Sequence, residues 1–151
     1  LEKQKLRYHY GCSEKQLRRS FNEANRMGGN AGHNLLCLLE RRFDNVVCNL
    51  RFGRTVADAR QLIAHGHLTI NGKKMDIPSF LVNEGDVIAV RDKKGSRTRV
   101  ENAIATVGDY SIPDWISVDD KELVGKVLRL PTREDVRCVV DEQKVIEFYS
   151  R

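Results

Sequence analysis

The stretch RFGRTVADARQLIAHGHLTINGKKM, Arg51 to Met75, follows one periodicity and then another. Thr55 opens a helix: its hydroxyl is placed to accept the Asp58 amide, and Asp58 reaches back in a T-x-x-D arrangement. Val56, Ala59 and Ile63 recur at helical spacing, and Gly66 supplies a left-handed stop. Alternation takes over at Leu68 and Ile70, and Asn71-Gly72 is the strongest hairpin signal in the chain. A helix followed at once by a hairpin predicts an α+β fold in which helices pack on a small antiparallel sheet.

Upstream, NLLCLLERRFDNVVCNL (Asn34 to Leu50) is too apolar for a surface helix and predicts one long or two consecutive helices buried on more than one side. Before it, a helix over the first ten residues ends at Gly11, and Ser13 with Gln16 forms a capping box. Leu17, Phe21 and Ala24 then face a core while Lys15, Arg18, Arg19 and Arg26 stay outside. GGNAG, Gly28 to Gly32, reads as a flexible break, a plain connector in preference to backbone that approaches a phosphate without Cβ obstruction. Downstream, VNEGDVIAV adds a strand at Val87, Ile88 and Val90. RDKKGSRTR (Arg91 to Arg99) reads as an exposed basic loop, with a helix over Val100 to Val107. Pro113 and Pro131 punctuate an acidic, weakly patterned region in which Trp115 reads as packing. Val145, Ile146 and Tyr149 predict a short C-terminal helix. The expected organisation is a helical subdomain, 1–40 plus about 135–151, with 41–134 inserted into it.

A chain of 151 residues can bury a core without disulfides or metals. No apolar run approaches the roughly 20 residues of a membrane span, and the basic start is not signal-like, so no membrane partner is expected. Lacking an initiator Met, Leu1 is read as a trimmed start. Cys12, Cys37, Cys48 and Cys138 form no C-x-x-C pair and sit in apolar stretches, as buried thiols do in a reducing compartment. His9, His33, His65 and His67 do not share metal-ligand spacing with them. Neither a metal nor a cofactor is expected. The motifs of nucleophilic, phosphate-loop and metal-dependent enzymes are absent, and the adjacent Asp119 and Asp120 point apart. His65 and His67, beside a basic cluster, read as phosphate contacts and not as an acid–base pair. No catalysis and no small-molecule substrate follow.

The formal charge of +5 is unevenly spread: residues 1–75 hold 14 Lys and Arg against 6 Asp and Glu, and residues 109–151 hold 7 against 10. One surface is therefore suited to an anionic partner. Arg41, Arg42, Arg51, Arg54, Arg60, Lys73 and Lys74 face only Asp44 and Asp58 over residues 41–75. Arg51 and Arg54 flank the turn before the Thr55 cap, so guanidinium groups and free helix amides are expected to converge there on a phosphate. The hairpin returns Lys73 and Lys74 beside Gly66. A DNA-reading helix-turn-helix is the competing reading, but the Thr55 helix is short and offers Ala57, Gln61 and Ala64 outward, too little for base readout. A shape-reading RNA surface fits better.

Arg51 to Val90, with its R-T-x-x-x-A-R-Q-L-I-x-H-G-H run, N-G hairpin and I-P-S-x-x-V strand, resembles the RNA-binding module of the small-subunit ribosomal protein four family. EKQKLRYHYG, EKQLRRSF, NLLCLLERRFDNVV, SIPDWISVD, RLPTREDV and VIEFYSR match that family in order, so the resemblance covers essentially the whole chain. It implies a structural constituent of the small ribosomal subunit that binds small-subunit ribosomal RNA early in assembly, at a helix junction in the 5′ domain. It further implies contact with small-subunit ribosomal protein five near the mRNA entry, and an influence on translational accuracy. Some members repress their own operon, which adds mRNA as a partner. The implied location is the cytoplasmic ribosome, with an organellar ribosome as the alternative. Carried over by motif, the RNA-facing residues are Arg51, Arg54, Thr55, Arg60, Gln61, His65, His67, Asn71 and Lys73, with Lys3, Lys5, Arg7, Tyr8, Arg18 and Arg19 from the N-terminal helices. Family members carry a longer N-terminal segment, in some cases with zinc-binding cysteines. Many are basic or contain proline where this chain has REDVRCVVDEQK. RNA-modifying enzymes that borrow the module need a catalytic domain with a positioned Asp, for which the remaining sequence is too short.

Overall fold

The computed structural model describes residues 1–108 and 111–151. In chain order the elements are α1 (Glu2–Tyr10), α2 (Glu14–Arg26), α3 (Ala31–Glu40), α4 (Phe43–Asn49), α5 (Val56–Ala64), β1 (Leu68–Ile70), β2 (Lys73–Lys74), β3 (Val87–Val90), α6 (Lys94–Val107), β4 (Ile116–Asp119), β5 (Val124–Val127), a 3-10 turn (Arg133–Asp135) and α7 (Glu142–Tyr149). They fall into two compact units: Leu1–Glu40 with Pro131–Arg151, and Arg41–Leu130. The class is α+β, as the sequence predicts.

In the first unit the helix ends follow local chemistry. Gly11 ends α1 at φ 60. Ser13 Oγ accepts the Gln16 amide at 3.1 Å and Gln16 Oε1 accepts the Ser13 amide at 2.9 Å, a complete capping box. Leu17, Phe21 and Ala24 of α2 are buried, facing Leu35, Leu36 and Leu39 of α3 and Val145 and Tyr149 of α7 in one core. The Phe21 and Tyr149 rings lie 4.9 Å apart, and the Tyr149 hydroxyl donates to Glu14 at 2.9 Å. The Gly28–Gly32 connector is shorter than expected, because Asn30 Oδ1 accepts the His33 amide and starts α3 there. Gly32 lies inside the helix, where a Cβ would stand 2.8 Å from Glu142 Cγ.

In the second unit α4, α5 and α6 pack on a five-stranded antiparallel sheet of order β2-β1-β3-β5-β4. Leu68 and Ile70 of β1, Ile88 and Val90 of β3, and Val127 of β5 alternate into the core. They meet Phe43, Val46 and Val47 from α4 with Leu50 at its C-cap, Ala59, Leu62 and Ile63 from α5, and the fully buried Trp115. Gly125 lets α4 approach this closely, since a Cβ there would sit 2.5 Å from Leu50 Cδ1. The hairpin turn is made by Asn71 at φ 53 and Gly72 at φ 83, with Ile70 paired to Lys73. Asn71 is fastened as well: its Nδ2 donates to Asp86 at 3.0 Å and its Oδ1 accepts the Val87 amide at 2.9 Å.

Two expectations give way here. The weakly patterned acidic region holds β4 and β5, which extend the sheet beside β3 through Val87↔Lys126 and Ile116↔Val127. The basic segment Arg91 to Arg99 is mostly helix, because α6 starts at Lys94 and only its Ser96, Val100 and Ala103 are buried. Its first two turns bury Ser96 and Val100 at helical spacing and leave Lys94, Arg97 and Arg99 on the outer side, so packing sets the helix where charge content alone reads as loop.

Candidate nucleic-acid interface

Helix α5 begins at the predicted Thr55 cap, but Asp58 reaches back to the amide before the cap. Thr55 Oγ1 accepts the Asp58 amide at 3.0 Å, and Asp58 Oδ2 accepts the Arg54 amide at 2.9 Å, one residue before the cap. Burial pushes the Asp58 carboxyl upward, but that amide and the charges of Arg99 and Arg54 outweigh it and hold it below its ordinary value. Along the outer face Ala57, Gln61, Ala64 and His65 are exposed, so the helix offers little for base readout.

At the far end, Gly66 turns the chain at φ 78, with the aliphatic part of Lys74 lying against it. The side chain of Arg91 donates to the Gly66 carbonyl at 3.2 Å, placing a cation on the C-terminal end of α5. The Arg91 amide donates to the His67 carbonyl at 2.9 Å, which joins this end to the start of α6. From α6, Arg99 reaches Asp58 at 3.2 Å and Gln61 at 3.4 Å, so this cation is held in place by a carboxylate of α5. Burial first, and then the charges of Arg99, His65, Arg91 and Lys93, hold the His67 imidazole below its ordinary pKa. Those cations therefore share one small region with α5.

The predicted residues divide into three groups. Arg54, Gln61, His65 and Lys73 are exposed along α5 and the hairpin, and His67 is half-buried beside them. Thr55 and Asn71 have side chains engaged in the cap and the turn, so their part is to shape the edge. Arg60 is half-turned away, its Nε 2.8 Å from the fully buried Asp44. In the other unit Tyr8, Arg18 and Arg19 are exposed, Lys5 pairs with Glu2 at 3.0 Å, Lys3 pairs with Glu14 at 3.1 Å, and Arg7 donates to Gln4.

Arg51 is the correction. It does not join Arg54 at the start of α5; it is 8% exposed, donates to the Gly108 carbonyl at 2.9 Å and pairs with Asp120. The residue sits in the left-handed region at φ 70. Arg42 is likewise buried, against Asp44, and Arg41 is fixed on the Val82 carbonyl and Asn83. Replacing Arg51 by Ala is expected to lower unfolding free energy by about 2–4 kcal/mol, by stripping an ion pair and a carbonyl of their donor. Urea melts and salt-dependent RNA titrations together check this: the melt shifts and the salt slope does not. Conversely, sequence reading missed Arg91, Lys93 and Arg99 as members of the surface, although their run of charge was visible.

Two family models match: the S4 domain over residues 41–88, and the ribosomal protein S4/S9 N-terminal domain over residues 1–40. The chain is 48% identical over 153 residues to the small ribosomal subunit protein uS4 of Roseiflexus sp. (strain RS-1), covering 100% of this chain and 74% of that one. It belongs to the uS4 family of small ribosomal subunit proteins. Other uS4 relatives include those of Thermoanaerobacter sp. (strain X514), 47% identical over 150 residues, and Variovorax paradoxus (strain S110), 46% identical over 150 residues; each alignment covers 99% of this chain and 72% of the relative. The uS4 family consists of structural ribosomal proteins and not of enzymes, in keeping with the missing catalytic motifs. The S4 domain match contains α4, α5, the hairpin and the start of β3, and ends before Arg91.

Proposed function

We propose that this protein is a structural constituent of the small ribosomal subunit that binds small-subunit ribosomal RNA through the α5, hairpin and α6 edge. The carrying observation is the gathering of Arg91, Lys93, Arg99 and His65 around His67, with Lys74 against Gly66. Such an edge suits folded RNA, which is recognised mainly through phosphates, 2′-hydroxyls and backbone shape. Arg54, Gln61, His65, His67 and Lys73 contact RNA directly in this reading, Thr55, Asn71 and Arg60 hold the edge in shape, and Lys3, Lys5, Arg7, Tyr8, Arg18 and Arg19 form a further contact on the helical unit. The finer role is that of a primary binder organising a 5′-domain helix junction during assembly, in the cytoplasmic ribosome or an organellar one. Contact with protein five near the mRNA entry, an influence on accuracy and repression through its own mRNA belong to the same proposal, and rest on family likeness.

A filter-binding titration tests it, with a small-subunit 5′-domain RNA fragment, duplex DNA of equal length and an unrelated structured RNA. Preference for the first is expected; equal affinity for all three sinks the ribosomal reading. Within it, Arg54→Ala and Lys73→Ala are each expected to weaken binding and to reduce the slope of log affinity against log salt by about 0.7–0.9, the equivalent of one phosphate apiece. An unchanged slope would mean those side chains are only solvated.

A further inference from the structure

His67 stands where the end of α5, the segment before α6 and α6 itself meet. Its Nδ1 lies 2.7 Å from the hydroxyl of the buried Ser96, and its backbone carbonyl accepts from Arg91. The charged and titratable groups bearing on the ring are Arg99 from α6, Arg91 and Lys93 from the segment before it, and His65 at the C-cap of α5, whose ring centroid is 6.5 Å away. Lys74 of the hairpin lies against the neighbouring Gly66. The nearby carboxylate, Asp58, is engaged by Arg99 and Arg54. Burial and these cations disfavour the charged imidazole in the free protein. An anion entering that group of cations reverses the field at the ring.

We propose that His67 is a proton-linked phosphate ligand: a nucleic-acid phosphate docking among Arg91, Lys93 and Arg99 brings a proton from solvent onto the imidazole, so that binding tightens as pH falls. This rests on the RNA-binding reading above and adds a regulation to it. Ser96 makes the step possible without heavy-atom movement, because its hydroxyl can donate to neutral Nδ1 or accept from a protonated one. The free ring titrates below the ordinary imidazole value, and in the proposed complex the phosphate charge raises it again. Between those two pKa values the complex holds more protons than its parts, and affinity rises as pH drops through that window.

The test is calorimetric titration of the full chain with the 5′-domain RNA fragment in buffers of different ionisation enthalpy. Uptake of close to one proton per complex is expected, with affinity rising by up to about tenfold per pH unit inside the window. His67→Gln, which keeps an acceptor for Ser96, is expected to bring the uptake close to zero, and His33→Gln, at an exposed histidine of the helical unit outside the proposed RNA surface, is expected to keep it. Uptake that persists in His67→Gln, or vanishes in His33→Gln, overturns the assignment. In the wild type, the imidazole proton resonance of His67 is followed against pH with and without RNA, which covers a variant that folds poorly; an unmoved midpoint also overturns it. Specific RNA binding with no proton uptake refutes this proposal and leaves the RNA reading standing. Loss of preference for the RNA fragment over duplex DNA refutes both.

Discussion

Asp44→Ala is expected to destabilise the second unit by about 3–5 kcal/mol, the cost of breaking a buried ion network by removing one partner. Asp44 is 0% exposed and accepts from Arg42 Nε at 3.2 Å, Arg42 Nη2 at 3.0 Å, Arg60 Nε at 2.8 Å and the Asn45 amide at 2.7 Å. Without it Arg42, 5% exposed, is left as a buried cation facing an apolar core. Arg60 fares better, because its side chain is 30% exposed and can turn to water. Urea unfolding followed by circular dichroism measures the effect, as a lowered midpoint at unchanged m value. A loss under about 1 kcal/mol would mean that solvent reaches Arg42 and that the network is not buried in solution. Asp44→Asn keeps the shape and removes the charge, so it separates packing from electrostatics.

The second large effect concerns binding. Changing Lys73, Lys74 and Lys93 together to Ala is expected to cut RNA affinity on the order of a hundredfold, at about 1 kcal/mol for each phosphate deprived of its lysine. The salt slope falls by about two to three units at the same time. All three side chains are exposed, so the melting curve stays near the wild-type one. Full affinity in the triple variant would move the RNA surface away from the hairpin and the start of α6.

Local chemistry was legible in the sequence because its partners lie close along the chain. The Ser13 box, the Gly11 and Gly66 stops, the Thr55 cap and the Asn71-Gly72 turn each join residues within four positions. Strands β4 and β5 were not, since each has four residues and the pairing of β5 with β3, which joins them to the sheet, is non-local. Arginines show the same divide. Arg54 and Arg51 look alike in sequence, three residues apart in one basic run. What separates them is Asp120, 69 residues away from Arg51, which turns one cation into an internal tie and leaves the other facing solvent. Charge can be counted from sequence, but whether it is paired depends on the fold. Arg91, Lys93 and Arg99 illustrate the converse, since only the return of the chain past Gly66 makes neighbours of them and α5.

The discontinuous make-up of the helical unit carries a consequence for the order of events during synthesis. Helices α1 to α3 leave the translating machinery early, but α7, which supplies Val145 and Tyr149 to their core, follows residues 41–130. At about 5–20 residues per second, that intervening stretch takes roughly 5–20 s to make. Over that interval the first three helices hold Leu17, Phe21 and Leu39 without the helix that closes over them, while the inserted unit has every residue it needs to finish folding. The nascent chain therefore completes its middle before its beginning, and the apolar face of the early helices is the part most in need of shelter until the last helix arrives.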